Sequence, residues 1–370
     1  MIQASDVVRG PGSALRVEVV DDARAWVRLQ KEWDALFAGS DAPLFAAWEW
    51  LEPWHRRIAK RCPPHLLIAR DGRGALVGLL PLCRDDLRDG ARTLRRLVLM
   101  GASHTGGGRV DLLASGGEHA RVAESFAAHL CRTHGAWDLL ELDGVDASSP
   151  TLDVFRRVFD RQPFRLRFDH RGASVVATLG PMERFEDLLR LGRAPALYLH
   201  HRRRLRAQPG FTVERAEEGR GLAAALEEHL RLGGLRAPDL LAFHRHALVR
   251  LAGRRRVRLY TLRIGGEAVA SIYGLVQRDT FLVWQAVEAA GWRGRGGGWV
   301  LIDEAFADAR ASGFARIELM AVPEQAFVDG APRRFRLRLR IWPAEGAAAS
   351  LIRREDVRRA LRIRLGGRAG

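Results

Sequence analysis

The same order of elements is written twice along this chain, and that repetition limits the fold more than any single motif. HLLIARDGRGALVGLLPLCRDD (residues 65–86) reads as strand, turn at Asp71-Gly72 and strand, and RLYTLRIGGEAVASIYGLVQRD (258–279) repeats it almost element for element. VAESFAAHLCRTHGAWDLLEL, ending at Leu142, parallels LIDEAFADARASGFARIEL, ending at Leu319. In both copies a glutamate stands two before a phenylalanine (Glu124, Glu304) and a glycine closes the helix (Gly135, Gly313). Glu-Leu recurs in the last strand (Glu141-Leu142, Glu318-Leu319). Shared order and shared punctuation predict two copies of one module in an α/β (α+β) chain. The expected division is an N-terminal lobe over 1–160, a C-terminal lobe over 161–345 and a basic tail over 346–370. Ahead of the first hairpin, Leu15 to Val20 reads as an edge strand. Trp26, Leu29, Trp33, Leu36 and Phe37, then Phe45, Trp48, Leu51, Trp54 and Ile58, follow helical spacing, which makes these tryptophans core.

The second copy carries the chemistry-bearing stretch. In AGWRGRGGGWVLIDEAFADARASG, a glycine-rich turn runs into a helix whose apolar stripe is Ile302, Ala305, Phe306 and Ala309. Backbone N–H groups at Gly294, Gly296, Gly297 and Gly298 would point at an anion at the helix N-terminus, with Arg293 and Arg295 adding charge-assisted bonds. The stretch reads as a pyrophosphate cradle. Neither Gly-x-x-x-x-Gly-Lys-Ser/Thr nor a dinucleotide-binding Gly-x-Gly-x-x-Gly occurs. TFLVWQAVE, from Thr280, is a strand leading in, and ARIELMAV, from Ala315, a strand leading out. In the first copy the corresponding glycines, Gly106 to Gly108, are followed by the insertion-like RVDLLASGGEH, so that loop is expected to be degenerate.

Charge follows the same division. Residues 1–184 hold 26 Lys+Arg against 24 Asp+Glu, whereas 185–370 hold 34 against 20. A basic second half suits an anionic ligand, a nucleic acid or a membrane surface. Only Lys31 and Lys60 are lysines, a bias that a GC-rich genome also produces. Three cysteines far apart in sequence, Cys62, Cys83 and Cys131, show no metal spacing, so no metal is expected. No apolar run approaches a membrane span and no signal pattern opens the chain, so the expected location is the cytoplasm, with contact at a membrane surface open.

Strand, glycine turn, helix and strand resemble the core of the Gcn5-related N-acyltransferases, and Arg293, Gly296 and Gly298 match that superfamily's (Arg or Gln)-x-x-Gly-x-(Gly or Ala). The tryptophan helices, LVGLLPL, the arginine-rich HHRRRL and the second-copy core together resemble the CelD/BcsL-type acetyltransferases of cellulose biosynthesis, related to the Fem peptidyltransferases. The resemblance spans about 25–320. It implies a tandem pair of acyltransferase lobes, each with a mixed, mostly antiparallel sheet flanked by helices. It also implies acetyl-coenzyme A or another acyl-coenzyme A as co-substrate, and direct attack by an amine or hydroxyl of a saccharide or cell-envelope precursor. By the same resemblance, N–H groups from Val283 to Val287 would polarise the thioester, with Val287 at the coenzyme.

His229 is the candidate base, Glu318 borders the thioester, and Tyr273 or Tyr260 is the candidate acid for the leaving thiolate. His229 also reads as a structural or exposed helix residue and the tyrosines as core, and Glu141 repeats the place of Glu318, which favours a structural role there. His229 and Arg231 fit the family's Leu-His-x-x-Arg-Trp, but Leu232 replaces its tryptophan. VDGAPRRFRLR lacks the Tyr-Lys of the family's C-terminal pattern. Two alternatives stay open: a Fem-like aminoacyl-tRNA-dependent transferase, the one case that brings in nucleic acid, and an inactive acyltransferase-like scaffold.

Overall fold

A computed structural model describes residues 6–10, 12–90, 92–101, 108–161, 163–190, 195–320 and 331–366. The expected loop glycines Gly106 and Gly107, and most of VDGAPRRFRLR before Arg333, lie outside them. The chain folds into two compact units, Met1–Leu51 with Ala59–Arg171 and Arg336–Gly370, and Glu52–Ile58 with Gly172–Phe335. Residues 336–370 thus fold with the first unit.

In the first unit, β1 (Asp6–Gly10) and β2 (Gly12–Val20) precede α1 (Ala23–Arg28), α2 (Gln30–Ala38) and α3 (Trp48–Arg57). Then come β3 (Leu66–Arg70), β4 (Leu76–Leu80), β5 (Leu82–Arg84), β6 (Leu87–Asp89), β7 (Arg92–Leu94), β8 (Arg96–Leu99) and β9 (Leu113–Ala114). The helices α4 (His119–Arg132) and α5 (Pro150–Phe159) flank β10 (Leu139–Asp146), and β11 (Phe164–Thr178) leads into the second unit. Trp26, Trp33 and Trp48 are buried and pack edge-on or tilted, with centroids 5.5–6.4 Å apart, as core aromatics do. The β2 strand lies inside the order β1-β2-β3-β4-β9, not at its edge, because residues 6–10 pair outside it. The first copy does not keep its strands in one sheet. The insertion supplies β9, which takes the free edge of β4, so β5 and β8 pair with each other, and β8 runs parallel to β10.

The second unit continues with α6 (Phe185–Arg190), α7 (Pro195–Arg206), β12 (Thr212–Ala216), α8 (Gly219–Leu232), α9 (Pro238–Gly253), β13 (Val257–Ile264), β14 (Glu267–Gln277), β15 (Thr280–Glu288), α10 (Gly297–Ala311) and β16 (Arg316–Leu319). Its sheet runs β12-β13-β14-β15-β16-β11. After β16 come β17 (Arg333–Pro343), which pairs with β10, and α11 (Ala347–Gly366). Gly265 and Gly266, both at positive φ, close the β13–β14 hairpin in two residues, a turn that L side chains strain to make. Side chains alternate across these strands. Tyr260, Leu262, Ile272, Phe281 and Val283 pack under α6, α7 and α10. Thr261, Ser271, Tyr273 and Trp284 face the opposite way, toward α8 and α9.

Candidate active site

The site is built at the C-terminal end of β15, beyond its described pairing with β16. β15 pairs with β14 along its whole length, but with β16 only from Thr280↔Arg316 to Val283↔Leu319, closed by Met320 N–H donating to the Val283 carbonyl at 2.9 Å. From Trp284 to Glu288 β15 has no β16 partner among the described residues, which end on that side at Met320. At that point the β14 register shifts between Tyr273↔Gln285 and Gly274↔Val283, leaving Trp284 unmatched as a bulge.

Beyond Glu288 a short turn, Ala290–Trp292, delivers Arg293 and the glycines to the head of α10. Gly294 (φ 74°) and Gly296 (φ 84°) are left-handed, and Gly296 is the N-cap. Packing adds a second constraint. A Cβ on Gly296 would come within 2.5 Å of the His201 Cβ, and one on Gly297 within 2.9 Å of the Ala270 Cβ. The loop therefore lies flat on α7 and β14 because only glycine fits there. It borders a cavity of about 480 Å³ lined by Leu197 and His201 of α7, Ala286 and Glu288 of β15, Arg293, Gly294, Gly296, and Gly298, Trp299 and Ile302 of α10. Arg295 instead lies over the Trp292 ring, 5.2 Å from its centroid, and Gly297 is buried. Burial first, then His200 and Arg204, hold His201 below its usual range, which keeps this imidazole neutral at pH 7. Neither His201 nor Glu288 was singled out from the sequence. Glu288, last in a strand six residues before Gly294, is the one that spacing could have flagged.

The remaining candidates divide between two places. His229 (α8) and Tyr273 (β14) meet on the opposite face of the sheet, ring centroids 5.6 Å apart. His229 is 1% exposed; its Nδ1 lies 3.1 Å from Ser271 Oγ and its Nε2 3.2 Å from Gln285 Oε1. Burial pushes it down to about 4. Tyr273 is fully buried, and its hydroxyl makes no hydrogen bond among the described residues. Burial also raises it well above the usual tyrosine range. His244 of α9 completes this cluster at 5.6 Å from Trp284 and 6.0 Å from Tyr273, likewise held down to about 4 by burial. Nothing in LLAFHRHALVRL set His244 apart from its neighbours, because only the packing of α9 distinguishes them. Val287 pairs with Ser271 and turns its side chain toward Gly233, away from the cavity lining.

Glu318 is elsewhere again, fully buried in β16, accepting from Ser174 Oγ and from Arg334 at 3.3 Å. Its carboxylate ties β16 to neighbouring strands. Tyr260 donates to Asp308 of α10 at 2.5 Å, which anchors that helix. In the arginine run, Arg202 is paired with Glu186 at 2.8 Å and Asp303 at 3.3 Å, and Arg206 with Glu304 at 2.5 Å. Half of the expected basic wall thus ties α7 to α6 and α10.

A parallel strand pair that splays beside a glycine turn at a helix N-terminus is the framework of the Gcn5-related acyltransferases. Residues 199–327 match the family model described as an acetyltransferase (GNAT) domain, so the second unit holds such a domain and the chain is an acyltransferase. No curated protein matches the chain. Among solved structures it is similar to FemX, at 11% identity over 83% of this chain and 95% of that one, TM-score 0.52. L-PGS from Bacillus licheniformis matches at 11% identity over 90% and 93%, TM-score 0.51. A conserved protein of unknown function from Bacteroides thetaiotaomicron VPI-5482 matches at 12% over 88% and 99%, TM-score 0.50. At such identities the likeness is one of fold, and it extends across both units. Among the described residues no group of three or more His, Cys, Asp or Glu is arranged for a metal, and no helix is long and apolar enough to cross a membrane.

Proposed function

We propose that this chain transfers an acyl group from acyl-coenzyme A, with acetyl-coenzyme A the simplest donor, to an amine or hydroxyl of a saccharide or cell-envelope precursor, the role of the CelD/BcsL-type enzymes. The observation that carries this is a left-handed glycine loop at the head of α10, directly after β15, bordering a cavity of about 480 Å³. The residues fit the donor. The cradle is one that a Cβ would fill at Gly296 and Gly297, and two of its amides, on Gly294 and Gly298, already satisfy an anionic group.

Bound acyl-coenzyme A would supply a thioester open to direct attack by the acceptor. The loop amides and Arg293 would hold its phosphates. Backbone N–H groups of β15 around the Trp284 bulge would serve developing oxyanion charge. His229, neutral and bonded to Gln285 next to that bulge, is placed to orient the strand. Calorimetric titration with acetyl-coenzyme A tests the reading: micromolar binding that is lost in Gly296→Glu and weakened in Arg293→Ala is expected. Absence of binding by the folded wild type overturns it.

A second reading, Fem-like transfer from an aminoacyl-tRNA, draws support from the basic second half and the carboxylate already seated in the cradle. It predicts ribonuclease-sensitive copurification of RNA with affinity that falls steeply with salt. Failure of both tests would leave an acyltransferase-like scaffold. We also propose a cytoplasmic location, with contact at the inner membrane surface open.

A further inference from the structure

The cradle at the head of α10 is occupied by an anion of the chain's own. Glu288 reaches under the loop: Gly294 N–H donates to its Oε2 at 3.0 Å and Gly298 N–H to its Oε1 at 2.8 Å. One amide belongs to the left-handed turn and the other to the first turn of α10, where the helix dipole favours negative charge. Two oxygens bridging a glycine turn and a helix N-terminus take up amide donors of the kind that bind phosphate oxygens. Glu288 is the only acidic side chain lining the cavity among the described residues. Its Oε1 lies 3.4 Å from where a Gly297 Cβ would stand and 3.6 Å from a Gly298 Cβ, so the carboxylate sits within the cradle and not at its mouth. A diphosphate cannot take these amides while the carboxylate holds them, because each N–H has one proton to give and the two anions repel.

We propose that Glu288 is an internal competitor for the donor's diphosphate. Donor binding exchanges the Glu288 carboxylate for phosphate oxygens at Gly294 and Gly298, so Glu288 sets donor affinity. It also biases the cradle toward ligands with several phosphate oxygens and a contact to Arg293, against simple carboxylates. The inference rests on the acyl-coenzyme A reading above.

The test compares wild type, Glu288→Gln and Glu288→Ala by calorimetry with coenzyme A and with inorganic pyrophosphate, together with hydrogen exchange at Gly294 and Gly298. Coenzyme A should bind about tenfold more tightly to Glu288→Ala, with Glu288→Gln between it and wild type. The two amides should exchange faster in Glu288→Ala and regain protection when coenzyme A is added. Unchanged or weaker binding in both folded variants, or unchanged exchange, overturns the proposal. Tighter pyrophosphate binding by Glu288→Ala without any coenzyme A binding upholds the competition and removes only coenzyme A as the donor. No binding of either probe by any of the three removes both.

Discussion

The two units each contain a strand, a helix and a parallel return strand, and they differ at the head of the helix. In the first, β8 pairs with β10 from Arg96↔Leu139 to Val98↔Glu141 and ends at Leu99, and the N-cap of α4 is Glu118, whose carboxylate bonds Arg121 at 2.7 Å. In the second, β15 runs five residues beyond its last β16 partner, and a left-handed glycine caps α10. A ligand site in this framework thus needs a strand longer than its partner and a loop that brings bare amides to the opening. Among the described residues the first unit shows neither, and its glycine before the helix, Gly117, stands in open space where Gly296 is pressed against His201.

Acid should separate the units most. His229 and His244 in the second unit, and His65 in the first, are each lowered from 6.5 to about 4, with burial the leading cause. The unfolded chain therefore binds protons first, and stability present above about pH 6.5 is lost as pH falls toward 4. Each group contributes about 3 kcal/mol at most. Hydrogen exchange followed at β14 and β3 between pH 7 and 4 should show β14 losing protection earlier. Equal loss, or an unchanged profile in His229→Gln, would remove the distinction.

Next in size are the paired glutamates. Glu318→Ala leaves Arg334 and Ser174 without their buried partner and should cost about 3 kcal/mol in urea denaturation. Glu141, 4.0 Å from Arg338 and held above the usual carboxylate range by burial, should cost about 1 kcal/mol when replaced by alanine. A reversed order would mean that the first-unit pair is the structural one.

The glycines give a binding contrast. Gly296→Glu should abolish donor binding, a loss of at least about 100-fold by calorimetry, because both the left-handed backbone and His201 oppose a side chain. Gly117→Ala should leave affinity unchanged and cost stability only about 1 kcal/mol. Smallest is Arg293→Ala, about tenfold in affinity with an unchanged melting temperature and a shallower salt dependence.

Much of this was legible in residue spacing. The two hairpins, the stripe of α10, the return strand at Arg316–Leu319 and the glycine loop are local patterns, set by the chain's own period and by residues that tolerate positive φ. Glu141 hinted at the structural role of Glu318 because the repeat placed one in each copy. The loop's fit against α7 was not visible, since His201 lies 95 residues from Gly296 and nothing local couples them.

By itself, then, the sequence determined a repeated order of elements and, in the second copy, a glycine loop running into a helix, because periodicity and glycine punctuation act over a few residues. Tertiary structure decided the rest. The insertion strand β9 took the edge of β4 and split the first module's sheet. Packing of α8 and α9 turned His229 and His244 into neutral buried groups, and the return of the β15 end under its own loop placed Glu288 on the amides. Each of these depends on which surfaces meet across long stretches of chain, where burial and hydrogen-bond competition are settled only once the whole unit is packed.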